Sequence, residues 1–266
     1  MAKERVTVSS RKAGPGVVLP PLEAMPEVRR IPYCLSAALP IFPFSEEQGR
    51  AFDEYRIIRT KILQHLNQPR LLAITSAAPR DGKTFTALNV AGVMSLKEDV
   101  RIVLIEADLY RGGIASCLGL PAKPGLAEYL KGTCSIQEAL VQVEQFPNLY
   151  ILCAGESGQG ASELLDSSHW KNLCRWVREQ FTHAIFDCPP LGAVADSALI
   201  LAECDGVVFV VRPDHTNKAL ALATLESIPK EKLIGVVLNS AQDWFLHRSG
   251  YSYYSYYGRQ SGTAKP

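Results

Sequence analysis

Six short apolar runs, LLAITSA, IVLIEAD, LYILCAG, HAIFDCP, GVVFVVR and LIGVVLN, lie between residues 71 and 239 with helical stretches between them. Each is almost continuously apolar rather than alternating, which marks a strand buried on both faces. Such strands pair in parallel only through long crossovers, and helices supply these. The pattern predicts one α/β domain over residues 46–248. Its core would be a doubly wound, mostly parallel sheet with helices on both faces.

The flanks read differently. Residues 1–45 are rich in proline and glycine (AGPGVVLPPLEAMP, ALPIFPF) and show no sustained period, so an extended tail with short docking segments is expected. In SEEQGRAFDEYRIIRTKILQHL the period turns helical, with Phe52, Tyr55, Ile58 and Ile62 on one face and Ser45 as N-cap. Residues 249–266 form a second expected tail. It holds GYSYYSYYG, with Tyr251, Tyr253, Tyr254, Tyr256 and Tyr257 close together.

Charge excludes one class of partner. Lys+Arg 28 against Asp+Glu 27 leaves a formal +1, so no basic field points to nucleic acid. No apolar run reaches the roughly 18–20 residues of a membrane span, and the polar opening MAKERVTVSSRKAGPG lacks a signal-peptide centre. Any membrane association is therefore expected to run through a partner. The 7 cysteines are scattered without metal spacing, which suits a reducing cytoplasm.

The chemistry concentrates after the first long apolar run, in SAAPRDGKTFTALNVA. Gly82-Lys83-Thr84 matches the end of a Walker A phosphate loop, between a strand and a helix. Backbone N–H groups and the helix dipole there attract phosphate oxygens. Lys83 would reach the β- and γ-phosphates of ATP, and the Thr84 hydroxyl would bind Mg²⁺. Two other runs end in carboxylates, RIVLIEADLYRGG with Glu106 and Asp108, and THAIFDCPP with Asp187. Ligands bind at the carboxyl ends of strands in open α/β sheets, and carboxylates there can hold Mg²⁺ directly or through water.

The stretches TSAAPRDGKTFTALNVA, VLIEADLYR and AIFDCPPLGAVADSALI resemble the Walker A, A′ and B motifs of the bacterial tyrosine kinases. These are P-loop NTPase-type autokinases of capsule and exopolysaccharide export. PGLAEYLKG, SELLDS, VVRPDHT and GVVLNS extend the similarity in order over about residues 51–258, nearest to the subgroup that accompanies exosortase clusters. The alternative, a partitioning- or division-type ATPase switch, calls for a lysine at Ala78 and a Gly-Gly pair at Pro79-Arg80.

The resemblance implies roles residue by residue. Pro79, Arg80, Asp81, Gly82, Lys83, Thr84 and Phe85 would line the nucleotide site, with Thr84, Asp108 and Asp187 around Mg²⁺. Catalysis would involve Lys83, Asp108 and Glu106. Glu106 stands where the family has aspartate, as candidate proton acceptor or as a support for loop backbone. The family's next basic residue falls at Tyr110, here displaced to Arg111 and followed by Gly112. Asn239 would read adenine or simply close a turn. Asp53, Arg56 and Arg59 stand where the family has a Glu-x-x-Arg-x-x-Arg motif that closes a ring of subunits, with the shorter Asp in place of Glu, or else form a solvated helix face. The tyrosine cluster would be the autophosphorylation site. Implied partners are a membrane chain-length regulator acting as activator, other copies of the chain, and a cognate tyrosine phosphatase. The expected place is cytoplasmic, at the inner face of the membrane.

Overall fold

The computed structural model describes residues 27–34, 50–158, 160–191 and 196–241. Ser45 and the tyrosine cluster lie outside them. In chain order the first elements are β1 (Arg29–Ile31), α1 (Arg50–Leu63), β2 (Leu71–Ser76), α2 (Lys83–Ser95), β3 (Ile102–Glu106), α3 (Ile114–Leu118) and α4 (Leu126–Leu130). There follow α5 (Ile136–Ala139), β4 (Val141–Val143), β5 (Leu149–Leu152), α6 (Ala161–Leu165), α7 (Ser168–Gln180) and β6 (His183–Asp187). The last described are α8 (Asp196–Glu203), β7 (Gly206–Val211), α9 (Lys218–Glu226) and β8 (Leu233–Leu238).

The strands make one 8-stranded sheet in the order β1-β4-β5-β3-β6-β2-β7-β8. Among the described pairings only β4 with β5 is antiparallel. The six expected strands are all present. Their side chains alternate between two cores, as a period of two requires. Leu71, Ala73, Val103 and Ile105 face α7 and α8, whereas Leu72, Ile74, Ile102 and Leu104 face α1 and α2.

The helices explain themselves. α2 is apolar on nearly every side, because the sheet covers one face and α1 the other. α1 buries only Phe52, Tyr55 and Ile62 and leaves its charges outside. α7 opens on Ser167, whose hydroxyl accepts from Trp170 N–H, and buries Trp170, Leu173, Cys174 and Val177 along one stripe.

Of the short docking segments expected in the N-terminal stretch, the described residues hold one. Arg29–Ile31 adds an edge strand in parallel with Val141–Val143. Arg30 Nε donates to Gln142 Oε1 at 2.9 Å, and the Tyr33 ring centre lies 5.9 Å from that of Phe146. A three-residue edge strand is held by backbone pairing and shows no apolar period, which is why β1 and the equally short β4 escape a periodicity argument.

Candidate functional site

The carboxyl ends of β2, β3, β6, β7 and β8 meet at one edge of the sheet, and their loops build the site. After β2 the chain turns through Arg80 and Gly82, both with left-handed backbone (φ 66° and 92°), before α2 begins at Lys83. A side chain at Gly82 would be strained by the backbone and would displace the Asn239 amide, because a Cβ there would sit 2.9 Å from Asn239 Cγ and overlap Nδ2 outright.

The loop is held from below. The Asp81 side chain is fully buried and accepts from Ala78 N–H at 3.1 Å and from the Thr216 hydroxyl at 2.6 Å. Asn239 Nδ2 donates to Asp81 O at 3.0 Å, and His215 Nε2 lies 3.2 Å from Pro79 O. Asp81, expected beside the nucleotide, thus faces inward and shapes the loop. Asn239 likewise has its amide on the loop backbone. Thr216 and His215 belong to the site without a local signal to mark them, although VVRPDHT holds both.

Above the loop a cavity of about 230 Å³ is lined by Arg80, Gly82, Lys83, Thr84, Phe85 and Cys117, among others. Lys83 Nζ lies 3.6 Å from Asp108 Oδ2, both side chains largely buried. Asp108 Oδ1 accepts from the N–H groups of Tyr110 and Arg111 at 3.3 and 3.1 Å, so its carboxylate also shapes the turn after β3. Tyr110 and Arg111 themselves are exposed.

Asp187 pairs in register with Glu106 on the neighbouring strand. Burial pushes its carboxyl up to about 7, while Lys83 and the Thr84 hydroxyl pull the other way. Its Oδ1 is buried without a hydrogen-bond partner. An orphaned carboxylate oxygen in a cluster of three acids beside one lysine fits a divalent cation. Among the described residues no group of three or more His, Cys, Asp or Glu side chains makes a cage for a metal. Mg²⁺ does not require one, since it is usually held by one or two carboxylates together with phosphate oxygens and water.

Glu106 is placed differently from its neighbours. It is 1% exposed, its Oε1 accepts from the N–H groups of Gly113 and Ile114, and its Oε2 accepts from Ala154 N–H at 2.9 Å. Burial raises its pKa and the backbone donors oppose that rise.

The α1 triad divides. Asp53 and Arg56 form an exposed pair at 3.6 Å, with the Arg56 guanidinium 5.8 Å from the Phe52 ring centre. Arg59 turns the other way and donates to Val93 O of α2 at 3.1 Å. Cys188, next to Asp187, is fully buried, and burial raises its thiol pKa well above the ordinary value. Tyr251, Tyr253, Tyr254, Tyr256 and Tyr257 lie outside the described residues.

No protein-family model matches the chain. It is 32% identical over 222 residues to the tyrosine-protein kinase YwqD of Bacillus subtilis, covering 82% of this chain and 91% of that one. It is 34% identical over 209 residues to the tyrosine-protein kinase ptk of Acinetobacter johnsonii, 77% of this chain but only 28% of that longer protein. Among solved structures, the VpsO kinase domain superposes with a TM-score of 0.66 at 28% identity, over 72% of this chain and 95% of that one.

Proposed function

The chain belongs to the bacterial tyrosine-protein kinases, and from that premise we propose that it transfers the γ-phosphoryl group of ATP to its own C-terminal tyrosines, Tyr251, Tyr253, Tyr254, Tyr256 and Tyr257. The observation that carries this reading is the convergence of Asp108 and Asp187 on Lys83 and Thr84, which line the cavity, with one Asp187 oxygen buried and unpartnered. Phosphoryl transfer asks chiefly for positioning and charge neutralisation, and these residues supply both.

In this reading the N–H groups of Arg80, Asp81 and Gly82 and of the first turn of α2 surround the phosphates. Lys83 leaves Asp108 for the γ-phosphate. Thr84, Asp108 and Asp187 would hold Mg²⁺, which would supply charge neutralisation for the nucleotide. The phenolic oxygen attacks phosphorus in line, the bond to the β–γ bridging oxygen breaks, ADP departs and the phenolic proton passes to water. Asn239 keeps the loop in shape through its bond to Asp81 O, and in this reading the rest of its amide would meet an adenine edge.

The cellular role follows the resemblance. We assign the kinase to the control of exopolysaccharide or capsule polymerisation and export, at the cytoplasmic face of the membrane. There it would respond to a membrane-embedded chain-length regulator and be reset by a tyrosine phosphatase. No helix among the described residues is long and apolar enough to cross a membrane. Asp53 and Arg56, exposed on α1, offer a contact to a neighbouring copy in a ring. Each phosphate adds about −1.5 to −2 charges, so five add roughly −7.5 to −10 per chain and would loosen such a ring.

A mixing experiment tests the reading. A Lys83→Met chain with an intact tail is incubated with ATP, Mg²⁺ and an active chain whose five tail tyrosines are phenylalanine. Phosphotyrosine should appear on the inactive chain's tail. If it stays bare while the active wild-type chain labels itself, transfer between subunits is wrong. If the wild-type chain forms no phosphotyrosine even with its membrane partner, autophosphorylation is wrong.

A further inference from the structure

We infer that Glu106 is a positioning residue, which clamps the loop carrying Asp108 and Arg111 to the end of β5, and that it is not the group that accepts the tyrosine proton. The inference rests on the kinase reading above and concerns how that site is assembled.

Both carboxylate oxygens are already in use. Oε1 accepts from two consecutive N–H groups, Gly113 and Ile114, at the start of α3, and Oε2 from Ala154 N–H beyond β5. The three donors thus come from two segments far apart in the chain. The side chain is 1% exposed, so an incoming phenol has no access to it without first breaking the clamp. Breaking it would leave the buried N–H groups of Ile114 and Ala154 without acceptors, which costs more than a hydrogen bond is ordinarily worth. A loose transition state for phosphoryl transfer places little demand on a strong base, so the reaction does not require that sacrifice.

The loop sequence is matched to this acid. A Cβ on Gly112 would lie 3.2 Å from Glu106 Oε2 and 3.1 Å from the Ala154 Cβ. Gly112 is not among the residues with positive φ, so its backbone would accept a side chain. What crowds one is the space taken by the glutamate and by Ala154, which would have to give by a few tenths of an ångström. Glu106 and the bare Gly112 are therefore one device. The acid's extra methylene reaches across to Ala154 through room that the glycine leaves open. The beneficiary is Asp108, two residues on, whose Oδ1 holds the turn and whose Oδ2 meets Lys83.

The two roles separate in kinetics. Glu106→Gln keeps an acceptor for Gly113 and Ile114 but turns an NH₂ toward Ala154 N–H, donor against donor. A clamp role expects the half-saturating Mg²⁺ concentration and the ATP KM to rise about tenfold, with kcat at saturation down by no more than about tenfold. A proton-acceptor role expects kcat to fall about 10²–10⁴-fold, with Mg²⁺ and ATP dependence unmoved, and that result would overturn the proposal.

Gly112→Ala approaches the clamp from the other side and does not alter the acid. It should raise the Mg²⁺ requirement several-fold in the Glu106 chain and by a clearly smaller factor in Glu106→Asp, whose shorter acid withdraws from the added methyl and leaves only the 3.1 Å contact with the Ala154 Cβ. Equal penalties in both backgrounds would refute the pairing. Mg²⁺-dependent ADP binding, measured in the same full-length variants, reads the loop without any transfer. A wild-type chain that forms no phosphotyrosine would then count against the kinase reading and leave the clamp to be judged by binding.

Discussion

Replacing Gly82 with alanine should destabilise the phosphate loop through two separable terms. The first is backbone strain, since Gly82 has φ 92°, where an L-residue costs about 1–2 kcal/mol. The second is the collision of the new Cβ with the Asn239 amide, whose Cγ would be only 2.9 Å away and whose Nδ2 would be nearer still. That forces the amide off Asp81 O. A typical hydrogen bond contributes about 0.5–1.5 kcal/mol, so the two terms total roughly 1.5–3.5 kcal/mol. For a domain of this size that lowers Tm by about 3–14 °C. In an Asn239→Ala background the collision disappears, because the Asn239 Cβ is 3.7 Å from the added methyl, an ordinary contact. There Gly82→Ala should cost only the strain. Urea unfolding followed by tryptophan fluorescence, on the wild type, both single variants and the double variant, gives the cycle. A coupling of about 1 kcal/mol is expected. Additive penalties would refute the claim that Asn239 is packed on the loop, and with it the account of why residue 82 is glycine.

Asp187→Asn should abolish the Mg²⁺ dependence of nucleotide binding while leaving the fold intact; an unaltered Mg²⁺ titration would remove Asp187 from the metal site. Arg56→Ala should shift unphosphorylated protein toward monomer in light scattering without lowering Tm, whereas Arg59→Ala, which loses its bond to Val93 O, should lower Tm by a few degrees. An identical response from both would show that the two arginines share a role. Deleting residues 1–34 removes β1 and bares the β4 edge, so Tm should fall modestly while nucleotide binding survives. Burial and the nearby Arg70 and Lys97 lower the His183 pKa from its ordinary 6.5 to about 4. The unfolded chain then binds more protons between those values, so stability should fall as pH drops from about 6.5 to 4, by roughly 3 kcal/mol at most. His183→Asn should flatten that slope, and an unchanged slope would place the titrating group elsewhere.

How much the sequence makes legible depends on the range of the interactions. The near-continuous apolar runs report burial on both faces, and helix–strand alternation follows from crossover geometry, so the sheet and its helices can be read directly. Gly82-Lys83-Thr84 is a local device, a turn feeding a helix N-terminus, and a contiguous stretch encodes it. So are Glu106, Asp108 and Asp187 as strand-end acids. Their partners are another matter. The donor to Asp81 O is 158 residues away, the hydroxyl on its carboxylate 135, and the N–H of Ala154 is 48 from Glu106. No periodicity or propensity links such pairs; they meet because the strand order brings β7, β8 and β5 beside β2 and β3. Whether an acid at a strand end binds a cation, braces a turn or clamps a loop is set by which donors the fold delivers to it. Asp187 keeps an oxygen without a partner, whereas Glu106 has both oxygens engaged. Residue type alone offers the same carboxylate in both places.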